Sequence, residues 1–266
     1  MRIAAESVVE KAGEILRRAK KVAALTGAGG YLVSEISASC AQSGMSVAVL
    51  DAKIEDAEKT AEKIRKEGGV AEAFGVDVTS KKELETALSR ILGKFGRLDC
   101  LLNGAGLNAP TPFFDITLEE WNSIINVQLT GTFLSCQVFG RHMVAKKSGS
   151  IVNISSSSSG PPLSKAFAYS VAKSGVSNLS QNLGREWATA GVRVNILRPG
   201  FFPTEWSKKN FITPEREKAI LGHTPMGRYG RPGELAGAVL WLFSDAASFV
   251  TGAEICVDGG FTCMTV

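Results

Sequence analysis

Tyr169 and Lys173 stand four residues apart, and on a helix that spacing puts a phenol and an ammonium one turn apart on one face. A tyrosine ordinarily loses its proton near pH ~10 and a lysine near ~10.4. A neighbouring ammonium favours the phenolate, so the pair predicts a tyrosine able to give or take a proton at ordinary pH. Ser156 precedes Tyr169 by thirteen residues and follows the apolar run Ile151-Val152-Asn153-Ile154. Such a run ending in small polar residues predicts a buried strand opening into a loop. A hydroxyl at that strand end is placed to hydrogen-bond a substrate oxygen beside the tyrosine. Tyr-x-x-x-Lys alone is a weak signal, since most such pairs are surface helix neighbours. The serine, the strand before it and a Gly-rich turn upstream give it weight.

Strand and helix patterns alternate from residue 21 to 199. The apolar runs Val22–Leu25, Ser46–Leu50, Val70–Val76, Leu98–Leu102, 149–154 and 192–197 predict strands. Helical patterns lie between them, at 53–67, 80–95, 118–146 and 167–190. Helix 232–244 and strand 253–257 follow. This alternation predicts a doubly wound α/β domain, a parallel sheet with helices on both faces. Ligands in such sheets bind at the carboxyl ends of the strands, near the point where strand order reverses. Thr26, Asp51, Asp77, Asn103, Ser156 and Pro199 all fall at predicted strand ends.

The first turn contains Thr26, Gly27, Gly29, Gly30 and Leu32. Glycines between a strand and a helix let backbone approach a pyrophosphate that the helix N-terminus attracts. Asp51 ends the second strand and can accept hydrogen bonds from both adenosine ribose hydroxyls. It would repel a 2′-phosphate, and no arginine lies in the turn to welcome one, so NAD is expected over NADP. Lys53 lies close enough to soften that preference.

This constellation resembles the short-chain dehydrogenase/reductase family over about residues 20 to 260. Against the family's T-G-x-x-x-G-x-G, Thr26 and Gly27 match, while Tyr31 and Val33 replace its second and third glycines. The resemblance implies an adenine contact at Asp77-Val78. It aligns Asn103-Gly104-Ala105-Gly106 with N-N-A-G, giving Asn103, Ala105 and Gly106 as cofactor neighbours. Pro199, Gly200 and Thr204 would meet the nicotinamide end. The family's catalytic asparagine falls on Gln128, expected to support a water relay from Lys173, and not on Asn126. By the same resemblance, Lys173 binds the nicotinamide ribose, and the protein forms a homo-oligomer, a tetramer.

The 266 residues suit one domain, 1–266, with an N-terminal extension at 1–20 and a substrate lid at 204–231. Val8, Ala12, Ile15, Leu16 and Ala19 predict an amphipathic helix over 5–19. A net charge of +4 with scattered Lys and Arg shows no basic stripe for nucleic acid. Five cysteines without C-x-x-C spacing and two histidines argue against a metal site and for a reducing, cytoplasmic setting. No stretch reaches the roughly 18 apolar residues of a membrane span. No secretory signal is expected.

The expected reaction is NAD(H)-dependent interconversion of a secondary alcohol and a ketone, with catalytic Ser156, Tyr169, Lys173 and Gln128. The segments around 199–205 and 223–228 resemble members acting on sugar acids, of the D-mannonate oxidoreductase (fructuronate reductase) type. Arg228, Lys208 and Lys209 are candidate carboxylate attractors. His223, a lone histidine, is left out of the catalytic set. Two rival readings use the same residues. One is a non-catalytic binding or assembly module, supported by the departures at 31, 33 and 128. The other is a reductase of a less polar ketone, suited by Phe201, Phe202 and Phe211.

Overall fold

The computed structural model describes residues 20–160, 163, 166–204, 208 and 212–264. The helix expected over 5–19 lies outside the described residues. Seven parallel strands form one sheet in the order β3-β2-β1-β4-β5-β6-β7. They are β1 Val22–Thr26, β2 Ser46–Asp51, β3 Val70–Gly75, β4 Cys100–Asn103, β5 Gly149–Ile154, β6 Val192–Pro199 and β7 Glu254–Val257. Strand order reverses between β1 and β4, so a crevice opens at their carboxyl ends.

The strands are short continuous runs of Ala, Val, Leu and Ile because both sheet faces are covered. On one side lie α1 Tyr31–Gln42, α2 Ile54–Lys66 and α8 Gly233–Phe243. There Val33, Ile36, Val49 and Phe243 form one core cluster. On the other lie α3 Lys81–Phe95 and α5 Gly131–Lys146, with Phe74, Leu101, Phe139 and Ile151 in a second cluster. Ser80 caps α3 by accepting from the Glu83 amide, and Gly96 ends it in the left-handed region.

The helix expected over 118–146 is one rod in three parts. Helix α4 Leu118–Ile125 runs through a π-helical turn, Asn126–Thr130, into α5. The turn carries Gln128, and a local widening of this kind often marks a functional position. Helix α6 Phe167–Trp187 carries Tyr169 and Lys173. Its inner face is pinned to the residue just after β5, where the Ser155 hydroxyl donates to the Lys173 carbonyl at 2.9 Å. The described part of 204–231 contains α7 Pro214–Gly222, capped by Thr213.

Cys40, Cys100 and Cys136 are buried and Cys256 and Cys263 exposed. Burial pushes the thiols of Cys40 and Cys136 up to about 12, so they behave as small core residues. No helix among the described residues is long and apolar enough to cross a membrane.

Candidate active site

Strand β5 delivers its chain to the crevice at Ile154, and the loop beyond it holds Ser156 in a fully extended conformation. The Ser156 hydroxyl accepts the Ser158 amide at 3.1 Å and lies 3.1 Å from the Ser158 hydroxyl. It also faces the Tyr169 phenol, which it lowers. Lys173 is 4% exposed, with Nζ 5.6 Å from the centre of the Tyr169 ring. The ammonium donates to the Ile154 carbonyl at 2.7 Å. Ser156, Tyr169 and Lys173 therefore meet where β5 ends against the first turns of α6.

The electrostatics differ from the sequence expectation. Burial pushes the Tyr169 phenol above its usual value, and the group that pulls it back is Ser156, not Lys173. Burial in turn drives the Lys173 ammonium down to about 7. The lysine expected to acidify the tyrosine is thus itself desolvated, and its proton is held mainly by one backbone carbonyl.

Gln128 is 1% exposed. Its Nε2 donates to the Leu107 carbonyl at 2.7 Å, while its Oε1 is buried with no partner among the described residues. The amide lies against Gly106, where a Cβ would stand 2.7 Å from Oε1. The contacts of Gln128 are therefore with the loop after β4, and the longer side chain is absorbed by the missing Cβ at 106.

The glycine turn forms a close cradle. Gly27 has φ +69, and a Cβ there would meet Ala105 Cα at 2.6 Å. A Cβ on Gly29 would meet Asp56 Cβ at 2.7 Å and Asp51 Oδ2 at 3.0 Å. Asp51 accepts the Gly29 amide at 3.0 Å on Oδ2 and the Lys53 amide at 3.0 Å on Oδ1. These bonds fix its carboxylate at the end of β2 beside the turn. Helix α1 begins at Tyr31, with Gly30 at its N-cap. The free amides of its first turn face the crevice end, the side a pyrophosphate would occupy.

Several residues expected to touch a cofactor turn their side chains inward. Thr26 is 1% exposed, and its hydroxyl accepts the Gly104 amide at 3.1 Å and donates to the Leu102 carbonyl at 3.5 Å. It shapes the turn after β4. Asn103 donates to Asn153 Oδ1 at 2.8 Å and accepts the Ser135 hydroxyl at 2.6 Å. Asn153 continues this buried network to Ser180 at 2.8 Å. Val78 packs against Gly131, where a Cβ would meet its Cγ2 at 2.6 Å. Leu32 is half-buried against the α1 core, and Pro199 is buried. Any cofactor contact from these residues is through backbone. Asp77 is exposed at the end of β3, its Oδ1 accepting the Thr79 amide at 2.8 Å. Ala105, Gly106, Gly200 and Thr204 line the same carboxyl-end rim, with the Gly200 amide donating to Val257 at 3.0 Å.

Asn153, Ser155 and Ser180 were missed as supports of the site. Their signal was polar residues placed inside otherwise apolar runs, which a buried parallel strand and its covering helix do not carry without partners. His223 packs edge-on against Phe261, with ring centres 4.7 Å apart, away from Tyr169 in role. A cleft of about 350 Å³ between Phe202, Met226, Arg228 and Val257 contains none of Ser156, Tyr169 or Lys173 and is not the reactive centre.

The family model described as Enoyl-(Acyl carrier protein) reductase matches residues 32–262. The chain is 36% identical over 242 residues to the D-threitol dehydrogenase of Mycolicibacterium smegmatis, covering 91% of this chain and 93% of that one. A gluconate 5-dehydrogenase from Burkholderia cenocepacia, in complex with NADP and tartrate, superposes with a TM-score of 0.90 at 30% identity, over 96% of this chain and 100% of that one. A protein assigned as a D-mannonate oxidoreductase from Haemophilus influenza, with bound NAD, gives 0.86 at 34%, over 92% and 96%. At such identity and coverage, the chain belongs to the short-chain dehydrogenase/reductase family of oxidoreductases.

Proposed function

We propose that this protein is an NAD(H)-dependent dehydrogenase interconverting a secondary alcohol and a ketone on a polyol or sugar acid, such as D-mannonate/fructuronate. The observation that carries it is the meeting of Ser156, Tyr169 and buried Lys173 at the end of β5, with Lys173 Nζ 5.6 Å from the centre of the Tyr169 ring. A bound nicotinamide dinucleotide supplies hydride to, or takes it from, the substrate carbon. In ketone reduction Tyr169 gives its phenolic proton to the substrate oxygen, and in alcohol oxidation it takes that proton. Ser156 orients the oxygen and polarises it. Lys173, already near neutrality, sits where it can return a proton toward Tyr169. Gln128 braces the loop after β4 and offers its unpartnered Oε1 toward a relay.

The turn at Gly27 and Gly29, packed so tightly against Ala105 and Asp56 that neither position has room for a Cβ, brings the N-terminus of α1 to the crevice, where a pyrophosphate fits. One structural neighbour binds NADP and another NAD. The fixed Asp51 carboxylate favours NAD here, because a 2′-phosphate would meet its charge. The threitol and gluconate enzymes among the relatives support a polyhydroxylated substrate. Arg228 makes a two-point pair with Glu234, at 2.9 and 2.8 Å, so it is a poor candidate for a substrate carboxylate. Lys209 and Phe211 lie outside the described residues. Phe201 meets Phe261 edge to face and Phe202 packs against Gly230, which weakens the less polar ketone as an alternative. Segment 204–231 is proposed to cover the substrate. Exposed Leu118, Phe133, Phe167 and Val171 along α4, α5 and α6 support a homo-oligomer.

The test is a thermal-shift titration with NADH and NADPH, followed by turnover on threitol, gluconate, mannonate and a steroid alcohol. A ligand at about 100 times its Kd stabilises by ~2.7 kcal/mol. A shift with NADH and oxidation of the polyhydroxylated substrates support the proposal. No shift with either cofactor at millimolar concentration overturns it in favour of a binding module.

A further inference from the structure

One guanidinium joins the loop that carries Ser156 to the last strand of the sheet. Arg198 stands at the end of β6, and its side chain is 15% exposed. Its Nε donates to the Ser156 carbonyl at 3.3 Å, and its Nη1 donates to Glu254 Oε2 at 2.6 Å. The same Ser156 carbonyl accepts the Ser159 amide at 3.1 Å and the Ser159 hydroxyl at 2.7 Å. The Nη2 edge lies against Gly160, where a Cβ would stand 2.9 Å away. Glu254 also takes Gln181 of α6 at 3.4 Å. Asp258, beyond β7, is the second carboxylate within the field of Arg198.

The arrangement does more than join β6 to β7. Their backbones already pair in register, Ile196 with Glu254 and Arg198 with Cys256. The ion pair is a diagonal one on the same sheet face, and it leaves one edge of the fork directed at the serine loop. Helix α6 holds the loop at Ser155 and at Ser159, whose carbonyl accepts the Ser174 hydroxyl at 3.0 Å, but without Arg198 the Ser156 carbonyl between them would be tied only to residues of its own turn. We propose that Arg198 is a positioning residue for Ser156, anchoring the serine loop to β7 so that the Ser156 hydroxyl stays within reach of Tyr169. This rests on the proposed dehydrogenase function for its kinetic consequence, but not for its structural one.

Two measurements separate those. Hydrogen exchange reads the loop directly: in R198M the Ser158 and Ser159 amides exchange about tenfold faster, while residues 27–33 are unchanged. No change at 158–159, or a uniform rise over the whole chain, overturns the proposal whatever the enzyme does. Kinetics read the consequence. In alcohol oxidation Tyr169 acts as the base, and the groups facing it are Ser156 and Lys173. Loosening Ser156 removes the group that lowers the phenol, so the rising limb of the pH profile moves to higher pH. R198M lowers kcat about tenfold and leaves the cofactor KM within twofold. In an S156A background R198M costs less than twofold, because the group it positions is gone. An equal cost in both backgrounds overturns the proposal. E254Q, a milder change, moves the same readouts in the same direction by less, and serves if R198M does not fold. A wild-type protein without turnover on any substrate refutes the proposed function and leaves the exchange result to decide Arg198.

Discussion

Val33 Cγ2 lies 2.6 Å from the point at which a Cβ on Gly104 would stand. Val33 lies in the first turn of helix α1 and Gly104 in the loop after β4, on either side of the reversal of strand order. Each departs from the family's pattern, Val33 by adding a side chain where a glycine is usual and Gly104 by removing one where an asparagine is usual. In space they are a single exchange. The valine fills the volume that the glycine vacates and is 4% exposed, a member of the core and not of the surface of the turn.

A double-mutant cycle should show that coupling. Gly104→Ala places a methyl against Val33 Cγ2 and 3.1 Å from the Thr26 carbonyl, an overpacking that costs about 1–3 kcal/mol. Val33→Ala removes buried methyls and costs a similar amount, about 1–3 kcal/mol. The double variant should be less destabilised than the sum by about 1 kcal/mol in denaturant unfolding. Strict additivity would mean that the two positions relax independently.

The phenol and the serine should separate binding from chemistry. Tyr169→Phe is expected to lose roughly 10²–10⁴-fold in kcat by removing the proton carrier, while the NADH-induced thermal shift persists. Ser156→Ala should lose roughly 10²–10³-fold and move the rising limb of alcohol oxidation to higher pH, because Ser156 is the group that lowers the Tyr169 phenol. A limb that stays in place would show that the serine acts on the substrate oxygen alone.

Lys173 makes stability depend on pH in a direction opposite to a surface ion pair. Folding lowers its ammonium from 10.5 to about 7. Between those values the unfolded chain holds a proton that the folded chain has released, so unfolding takes up a proton and stability rises with pH. Tyr169, pushed above its ordinary value of 10.0, works the other way only beyond that point. From pH 7 to 10 the wild type should therefore gain on Lys173→Met, by less than about 1.4 kcal/mol per pH unit, in denaturant unfolding at each pH. A difference that is flat over this window would mean that the lysine stays charged in the folded protein.

The strands, their order of alternation and the Ser156, Tyr169, Lys173 cluster were legible because parallel strands are continuous apolar runs, Ser156 follows the end of one, and Tyr169 and Lys173 share a face of the next helix. The inward turn of Thr26 and Asn103 was not legible. A polar residue at a strand end reads alike whether it faces a ligand or bonds the neighbouring strand, and only the Thr26–Asn103 and Asn103–Asn153 registers decide it. Nor could spacing reveal that burial would dominate the Lys173 ammonium, since desolvation comes from the whole packed surround and not from the neighbour four residues away. Gly104 looked like a lone substitution in its motif and Gly106 like a plain match to it. They are the contacts of Val33 and Gln128, residues about 70 and 20 positions away in a chain that brings its turns together.

Gln128 offers the sharpest contrast between stability and function. An orphaned buried carbonyl costs about 1–3 kcal/mol, and the bond from Nε2 to Leu107 returns about 1 kcal/mol. Leu107 is 38% exposed, so water can take over that bond when the amide is gone. Gln128→Leu keeps the volume and removes both groups, and it should unfold at a denaturant concentration equal to or above that of the wild type. If the atom is retained for the reaction, kcat should nevertheless fall about tenfold, with the loss largest where proton supply to Tyr169 limits the rate, and with a changed solvent isotope effect. If instead turnover is unchanged, the amide is a brace for the turn after β4, and the π-helical widening at Asn126–Thr130 serves packing against Gly106.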